Sequence, residues 1–397
     1  MSVARVGVLG AGTMGRGIAQ LAALGGYETV LYDVDRETLE NVGMAVGEDL
    51  AKGVERGRWS EQEAEAALAR FGSAPNLEML RGCGLLIEAA PEKLELKREI
   101  FTSLAAAVGP EPVFASNTSS LRVTAIAEGV PHPERVVGMH FFNPPPLMKL
   151  VEVVAAERSG AEALAAATEV AEGMGRTPIR AKDSPGFVAN RLARPFSLES
   201  LRMLGDGVAD AATIDRAVRL GGGFRMGPFE LLDLIGLDVN LEIARSFFAQ
   251  GGEPERWRPS PIQEELVAEG RFGRKSGHGY YEYGDGHERE SDPDLGIAAP
   301  TLDPAELAKI DPAAEEILTR LFAQIANEAA FAREEGIASD ADMETAMQLG
   351  FNWPLGPIAI TELIGPARAL ETLERLRADR GEAYAPAPRL RTEAEAA

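Results

Sequence analysis

Short apolar runs alternate with longer amphipathic segments over the first 180 residues. The runs are Arg5 to Leu9, Glu28 to Tyr32, Gly84 to Ala90, Pro112 to Ala115, Val136 to Met139, Val151 to Val154 and Thr177 to Arg180. Most are rich in Val, Ile and Leu and are bounded by Gly, Pro or Asp, which predicts short strands buried on both faces. Ile18 to Leu24 reads as a helix, Arg36 to Arg70 as a helical pair, and a further helix runs from about Leu94 toward Leu104. Strands alternating with helices predict an α/β domain with a parallel, doubly wound sheet. The pattern breaks at Lys182-Asp-Ser-Pro-Gly-Phe187, where a Pro-Gly turn closes this first domain at residues 1–184. From Val188 onward the periodicity is helical, with no strand expected until Tyr280-Tyr-Glu-Tyr283.

The helical part repeats itself at an offset of 129 residues without a gap. Leu192, Glu199, Gly207, Ala217 and Gly221 match Leu321, Glu328, Gly336, Ala346 and Gly350. Gly227-Pro228 matches Gly356-Pro357, and Leu234-Ile-Gly236 matches Leu363-Ile-Gly365. This predicts two all-α domains that are internal repeats: a first copy over 185–283, a polar, turn-rich linker over 284–302, and a second copy over 303–381. Residues 382–397 are rich in Ala, Pro and Glu and are expected to be disordered. The copies differ in content. Asn190 of the first is matched by Thr319 of the second, and the tail Gly270 to Tyr281 has no recognisable counterpart. The first copy is therefore expected to carry chemistry and the second to carry packing.

Composition narrows the classes of function. The 397 residues include 45% apolar and 26% charged residues, ordinary for a globular protein of two or three domains. A net charge of −22 argues against a nucleic-acid surface and an anionic membrane as partners. A single cysteine, Cys83, allows no intramolecular disulfide, and four histidines without a Cys cluster predict no metal site. The N-terminus runs directly into a strand with no signal segment before it, so a cytoplasmic protein is expected.

Two stretches carry the chemistry. The first strand leads straight into Gly10-Ala11-Gly12-Thr13-Met14-Gly15, then a helix, then a strand ending at Asp33. Gly10 permits a tight turn, Gly12 lets backbone approach a pyrophosphate, and Gly15 lets the helix pack closely. The helix start at Thr13 and Met14 supplies free N–H groups for phosphates. Asp33 is placed to accept from ribose hydroxyls, which favours NAD over NADP. The second stretch runs from Ala115 to Glu152. It holds Ser116-Asn-Thr-Ser119-Ser, His140 at the end of an apolar strand, and Glu152 in the next apolar run. A carboxylate beside an imidazole fixes its tautomer, which is the minimal general-base pair. Lys52, Arg56 and Arg58 form a small basic group able to meet an anionic substrate tail.

Taken together, these motifs resemble those of the 3-hydroxyacyl-CoA dehydrogenase family, particularly bacterial forms with a duplicated C-terminal domain. The resemblance rests on the Gly10–Gly15 loop with Asp33, Ser116-Asn-Thr-Ser119-Ser-Leu, His140-Phe-Phe-Asn143-Pro, Leu150-Val-Glu152, Asp183-Ser-Pro-Gly-Phe-Val-Ala-Asn190-Arg and Phe272-Gly-Arg-Lys275-Ser-Gly. It spans roughly residues 3–283. It implies a Rossmann-type first domain, NAD as cofactor, and oxidation of (S)-3-hydroxyacyl-CoA, with short chains (3-hydroxybutyryl-CoA) expected. It further implies His140 as the base, Glu152 as its partner, and Ser119 and Asn190 near the substrate 3-oxygen. Glu92, Lys97, Ser119, Asn143 and Lys275 would surround the nicotinamide half of the cofactor, and Lys52 and Arg56 the CoA end. A dehydrogenase of a sugar acid or other small hydroxy acid is the alternative enzyme. A non-catalytic dinucleotide-binding protein is the alternative outside enzymes. Two helical copies in one chain could pair internally, so a monomer or a homodimer is expected.

Overall fold

The computed structural model describes residues 3–284 and 291–396. The chain forms two compact units, Met1–Phe187 and Val188–Ala397. The first contains eight strands: β1 (Arg5–Leu9), β2 (Glu28–Tyr32), β3 (Phe71–Ala74), β4 (Leu85–Glu88), β5 (Val113–Ser116), β6 (Val136–Phe141), β7 (Leu150–Ala155) and β8 (Thr177–Lys182). Its helices are α1 (Thr13–Leu24), α2 (Arg36–Glu55), α3 (Glu61–Arg70), α4 (Leu94–Val108), α5 (Val123–Ala127) and α6 (Ala161–Gly173). The strands form one sheet in the order β3-β2-β1-β4-β5-β6-β7-β8. Every strand predicted from the first unit's apolar runs is present. The edge strand β3 was not legible, because Phe-Gly-Ser-Ala has neither alternation nor a β-branched residue.

Residue chemistry explains these elements. β1, β4 and β5 are almost wholly buried, as strands covered on both faces must be. Ile18, Leu21 and Ala22 of α1, Val42 and Val46 of α2 and the small residues of α6 share one core with Val8, Ile87 and Val137. Asp35 caps α2 by accepting from the Glu37 amide, and Ser60 and Glu63 close a capping box on α3. The chain order reverses between β1 and β4, the place where open α/β sheets form their ligand crevice.

The sheet departs from the all-parallel expectation at one edge. β7 runs antiparallel to β6, and β8 runs parallel to β7. Only residues 142–149 join β6 to β7. A parallel return needs a crossover of about a dozen residues or more, so this connection can only reverse direction. The reversal sets His140 directly opposite Glu152.

The second unit is helical: α7 (Ala189–Leu192), α8 (Arg194–Gly205), α9 (Ala211–Leu220), α10 (Pro228–Ile235), α11 (Leu237–Gln250), α12 (Pro261–Ala268), α13 (Pro304–Leu307), α14 (Ala314–Glu334), α15 (Asp340–Gly350), α16 (Pro357–Ile364), α17 (Pro366–Arg380) and α18 (Pro388–Ala396). Helices α15, α16 and α17 begin 129 residues after α9, α10 and α11: 340 − 211, 357 − 228 and 366 − 237. The expected boundaries shift in three places. The first compact unit runs on to Phe187, just past residue 184, and Gly186 and Phe187 both turn the chain through positive φ there (69° and 52°). The two helical segments form one compact unit and not two domains. Part of the reason is buried: Arg191 Nε donates to Glu328 at 2.7 Å and its Nη1 to Glu335 at 2.7 Å. Reciprocally, Arg320 Nε donates to Glu199 at 2.7 Å and its Nη2 to Asp206 at 2.9 Å. Arg191 and Arg320, Glu199 and Glu328, and Asp206 and Glu335 are all 129 residues apart.

The expected disordered tail is also ordered. Glu382–Tyr384 forms a 3-10 turn and α18 follows, with Tyr384, Ala387 and Leu390 buried. Asn327 accepts the Ala387 amide at 2.7 Å and donates to the Ala385 carbonyl at 3.0 Å. Tail composition hid these few anchors. Of the expected linker 284–302, residues 285–290 lie outside the described residues. Asp292 pairs with Arg219 at 2.7 Å, and the Thr301 amide donates to Gly221. Within Tyr280 to Tyr283 Glu282 alone makes an isolated bridge, to His278, and no strand forms. The Asp233 carboxylate takes the Tyr280 and Tyr281 amides, at 3.0 Å each, that a ladder would need.

Candidate active site

The dinucleotide cradle is built by the β1–α1 turn. Gly10 has φ 103°, and a Cβ there would come within 2.7 Å of the Ala89 carbonyl. A Cβ on Gly15 would meet the Gly10 carbonyl oxygen at 1.8 Å, so the start of α1 seats directly on the turn. Gly12 faces open space, with nothing within 4 Å of a built Cβ. That leaves a bare helix N-terminus at Thr13 and Met14 with free amides for a phosphate. Asp33 accepts from the Ala11 amide at 2.6 Å and the Asp35 amide at 2.9 Å. These bonds aim it at the turn, and a carboxylate has acceptor sites left for a ribose diol. The cradle, the open glycine and the terminal acid fit NAD.

His140 ends the parallel part of the sheet. Its Nδ1 lies 2.6 Å from Glu152 Oε2, with His140 6% exposed and Glu152 fully buried. With Nδ1–H donated to the carboxylate, Nε2 keeps its lone pair as the acceptor. The ring is held by Phe142 at 4.6 Å and Phe187 at 5.8 Å between centroids. Asn117 Oδ1 accepts from the Phe141 amide at 2.8 Å, tying the Ser116–Ser120 loop to the strand that carries His140.

Glu92 organises the other side of that loop. Its Oε1 accepts from Thr118 Oγ1 (2.6 Å), the Ser119 and Ser120 amides (2.9 Å each) and Ser120 Oγ (3.0 Å). Burial works to raise the Glu92 carboxyl, but Lys97 and these donors outweigh it and hold it below the usual carboxylate range. Ser119 itself is exposed, and its amide is fixed by Glu92. Lys97 is buried, 2.6 Å from Glu88 and 3.3 Å from Glu92. It therefore stands behind Glu92 and does not point freely at the crevice. Glu88 is the residue the sequence reading missed. It ends β4 fully buried, and accepts from Ser116 Oγ (2.7 Å), the Ala90 amide (2.6 Å) and Lys97. Its one signal was a carboxylate closing the apolar run Leu85-Leu-Ile-Glu88. Asn143 is exposed in the β6–β7 connection, joined to Pro144 by a cis peptide.

Four of the expected residues stand on other elements. Lys52 and Arg56 are exposed at the C-terminal end of α2, with Lys52 3.5 Å from Asp49. Asn190 and Lys275 belong to the helical unit. Asn190 sits half-buried in α7, and Lys275 Nζ is 2.6 Å from the Asp238 carboxylate, whose pKa it lowers. Among the described residues no group of His, Cys, Asp and Glu could hold a metal ion, and no helix is long and apolar enough to cross a membrane.

The family model of the 3-hydroxyacyl-CoA dehydrogenase NAD binding domain matches residues 5–184, and that of the C-terminal domain matches 186–283 and 317–397. The chain belongs to the 3-hydroxyacyl-CoA dehydrogenase family. It is 35% identical to the 3-hydroxyadipyl-CoA dehydrogenase of Escherichia coli K12, over 99% of this chain and 98% of that one. It is 40% identical to a probable 3-hydroxybutyryl-CoA dehydrogenase of Deinococcus radiodurans, over 70% of this chain and all of the relative. Its fold matches the crystal structure of a 3-hydroxybutyryl-CoA dehydrogenase from Escherichia coli K12 with a TM-score of 0.88 at 34% identity, over 100% of this chain and 99% of the other. The family membership makes NAD the cofactor and oxidoreduction the class of reaction.

Proposed function

We propose that this enzyme interconverts (S)-3-hydroxyacyl-CoA and 3-oxoacyl-CoA with NAD, acting on short acyl chains. The observation that carries the reading is the buried His140–Glu152 pair, 2.6 Å apart, at the carboxyl edge of a sheet whose switch point holds a dinucleotide cradle. Bound NAD supplies the hydride acceptor. His140 Nε2 takes the proton of the 3-hydroxyl as hydride leaves C3, and the C3–O bond becomes a carbonyl. Glu152 stabilises the imidazolium that forms. Ser119 and Asn190 hold the 3-oxygen while it changes hybridisation. Glu92, with Lys97 behind it, and Asn143 and Lys275 border the nicotinamide half of the cofactor, and Lys52 and Arg56 meet the CoA phosphates. The relatives' names include a four-carbon monoacid and a six-carbon diacid, and both substrate classes fall within this reading. A single buried cysteine suits a cytoplasmic, reducing setting.

NADH oxidation with acetoacetyl-CoA, beside free acetoacetate and with NADPH as controls, tests the reaction class. Turnover with the thioester and NADH alone is expected; equal turnover of free acetoacetate would move the assignment to small hydroxy acids. His140→Gln should keep NADH binding and lose at least about a hundredfold in kcat. Near-normal turnover in that variant would remove His140 from the base role. The reciprocal Arg–Glu pairs within one chain support a monomer, and a tight dimer by sedimentation at micromolar concentration would refute it.

A further inference from the structure

Arg194 is a buried cation that the dehydrogenase mechanism does not use. It is the first residue of α8, one turn beyond Asn190, and it is 7% exposed. Its Nε and Nη1 are buried with no hydrogen-bond partner, and among the described residues no carboxylate forms an ion pair with it. The guanidinium lies over the Phe247 ring, 5.1 Å from the centroid. Burial alone pushes its pKa down to about 10.

The same helical unit shows what it does with structural arginines. Arg191, three residues earlier, reaches two carboxylates, and so does Arg320. The matched position in the second segment shows that the helix itself requires no cation. The residue 129 positions after Arg194 is Ala323, fully buried in α14. The residue matched to Asn190 is Thr319. On one helical face, four residues apart, the first segment thus carries an amide and an unpaired guanidinium where the second carries a hydroxyl and a methyl. Ala193 between α7 and α8 keeps right-handed helical angles (φ −77°, ψ −15°), so positions 190 and 194 share a face. The two positions are one helical turn apart, about 6 Å along the axis. A buried cation without a counter-charge is costly, and a guanidinium fork matches a carboxylate with two parallel N–H donors.

We propose that Arg194 is a specificity residue that pairs with a terminal carboxylate on the acyl chain, so that the preferred substrate is the CoA thioester of a 3-hydroxy dicarboxylic acid. This rests on the reading above, in which Asn190 holds the 3-oxygen. In a six-carbon diacid the far carboxylate lies three carbon–carbon bonds beyond C3, a span suited to the turn between Asn190 and Arg194.

The test compares kcat/KM for 3-oxoadipyl-CoA and 3-oxohexanoyl-CoA, which have equal length and differ in the terminal carboxylate, with acetoacetyl-CoA as the reference thioester. The wild-type enzyme should prefer the diacid over the neutral chain. Arg194→Met should cut that preference by at least about thirtyfold, mainly through KM, and Arg194→Lys should restore part of it. A wild-type ratio at or below one overturns the proposal, and this result needs no variant to fold. A ratio left unchanged by Arg194→Met overturns it too. Failure of all three thioesters would instead overturn the dehydrogenase reading on which the proposal rests.

Discussion

The two helical segments of the second unit share a frame and differ in their polar content. Helices α9, α10 and α11 start 129 residues before α15, α16 and α17, and their buried arginines exchange carboxylates reciprocally. In each segment one acid accepts two amides at the start of the next proline-led helix: Asp215 from Phe229 and Glu230, Glu344 from Ile358 and Ala359. Groups that assemble the unit are thus present in both segments, whereas Asn190, Arg194 and Lys275 occur in the first alone. A polar side chain that the partner segment also carries is explained by packing. One that the partner segment lacks and that is buried without a partner of its own, as Arg194 is, asks for a ligand.

The largest effect should come from breaking the shared framework. Glu328→Ala and Glu199→Ala each leave a buried arginine short of a carboxylate, and each should cost about 3–5 kcal/mol by urea denaturation. A loss below about 1 kcal/mol in either would show that the two halves of the exchange are not equivalent. A smaller and asymmetric effect is expected at the amide position. Asn190→Ala should lower kcat/KM by about a hundredfold if it holds the 3-oxygen, roughly 2.7 kcal/mol in the transition state. Thr319→Ala, which loses a hydroxyl accepting from Arg368 at 3.0 Å, should touch stability by about 1 kcal/mol and leave kcat/KM within twofold. Equal kinetic effects would abolish the division between a chemical segment and a packing segment.

A different kind of effect is a pH slope. Burial pushes the Asp215 carboxyl up to about 7, against the Phe229 and Glu230 amides and the Tyr281 hydroxyl that favour its charged form. In the unfolded chain the group returns to about 3.9. The folded state therefore holds this proton more tightly. Its contribution is complete below about pH 4 and is lost as pH rises through about 7, at no more than about 1.4 kcal/mol per pH unit. Asp215→Asn should flatten the stability profile across that interval more than Glu344→Gln, since Glu344 is only partly buried. An unchanged slope in Asp215→Asn would assign the pH dependence to other groups.

Much of the molecule was legible before folding was considered. Strand positions came from apolar runs bounded by turn residues, because a strand covered on both faces has no polar position to spare. The cradle at Gly10–Gly15 with Asp33 was readable because it is local: a turn, a helix start and a strand end lie within 24 residues. The 129-residue offset was readable because the matched positions are mostly small and apolar residues that stay in register without a gap. The pairing of His140 with Glu152 could be suspected from adjacent runs, but the antiparallel return that sets them opposite depends on the connection at 142–149.

The remaining features depended on contacts between distant parts of the chain. Glu88 gains its role from Ser116 and Lys97 on neighbouring elements, and Lys97 is turned from a cofactor contact into a support behind Glu92. Tail residues 382–396 are ordered by Tyr384, Ala387 and Leu390 meeting a surface more than 50 residues away in sequence, which composition cannot register. Arg194 is the clearest case. In the sequence it is one of 40 basic residues, and only burial without a partner distinguishes it. Local geometry follows from the order of residue types; the protonation, pairing and exposure of a side chain follow from what the fold brings against it.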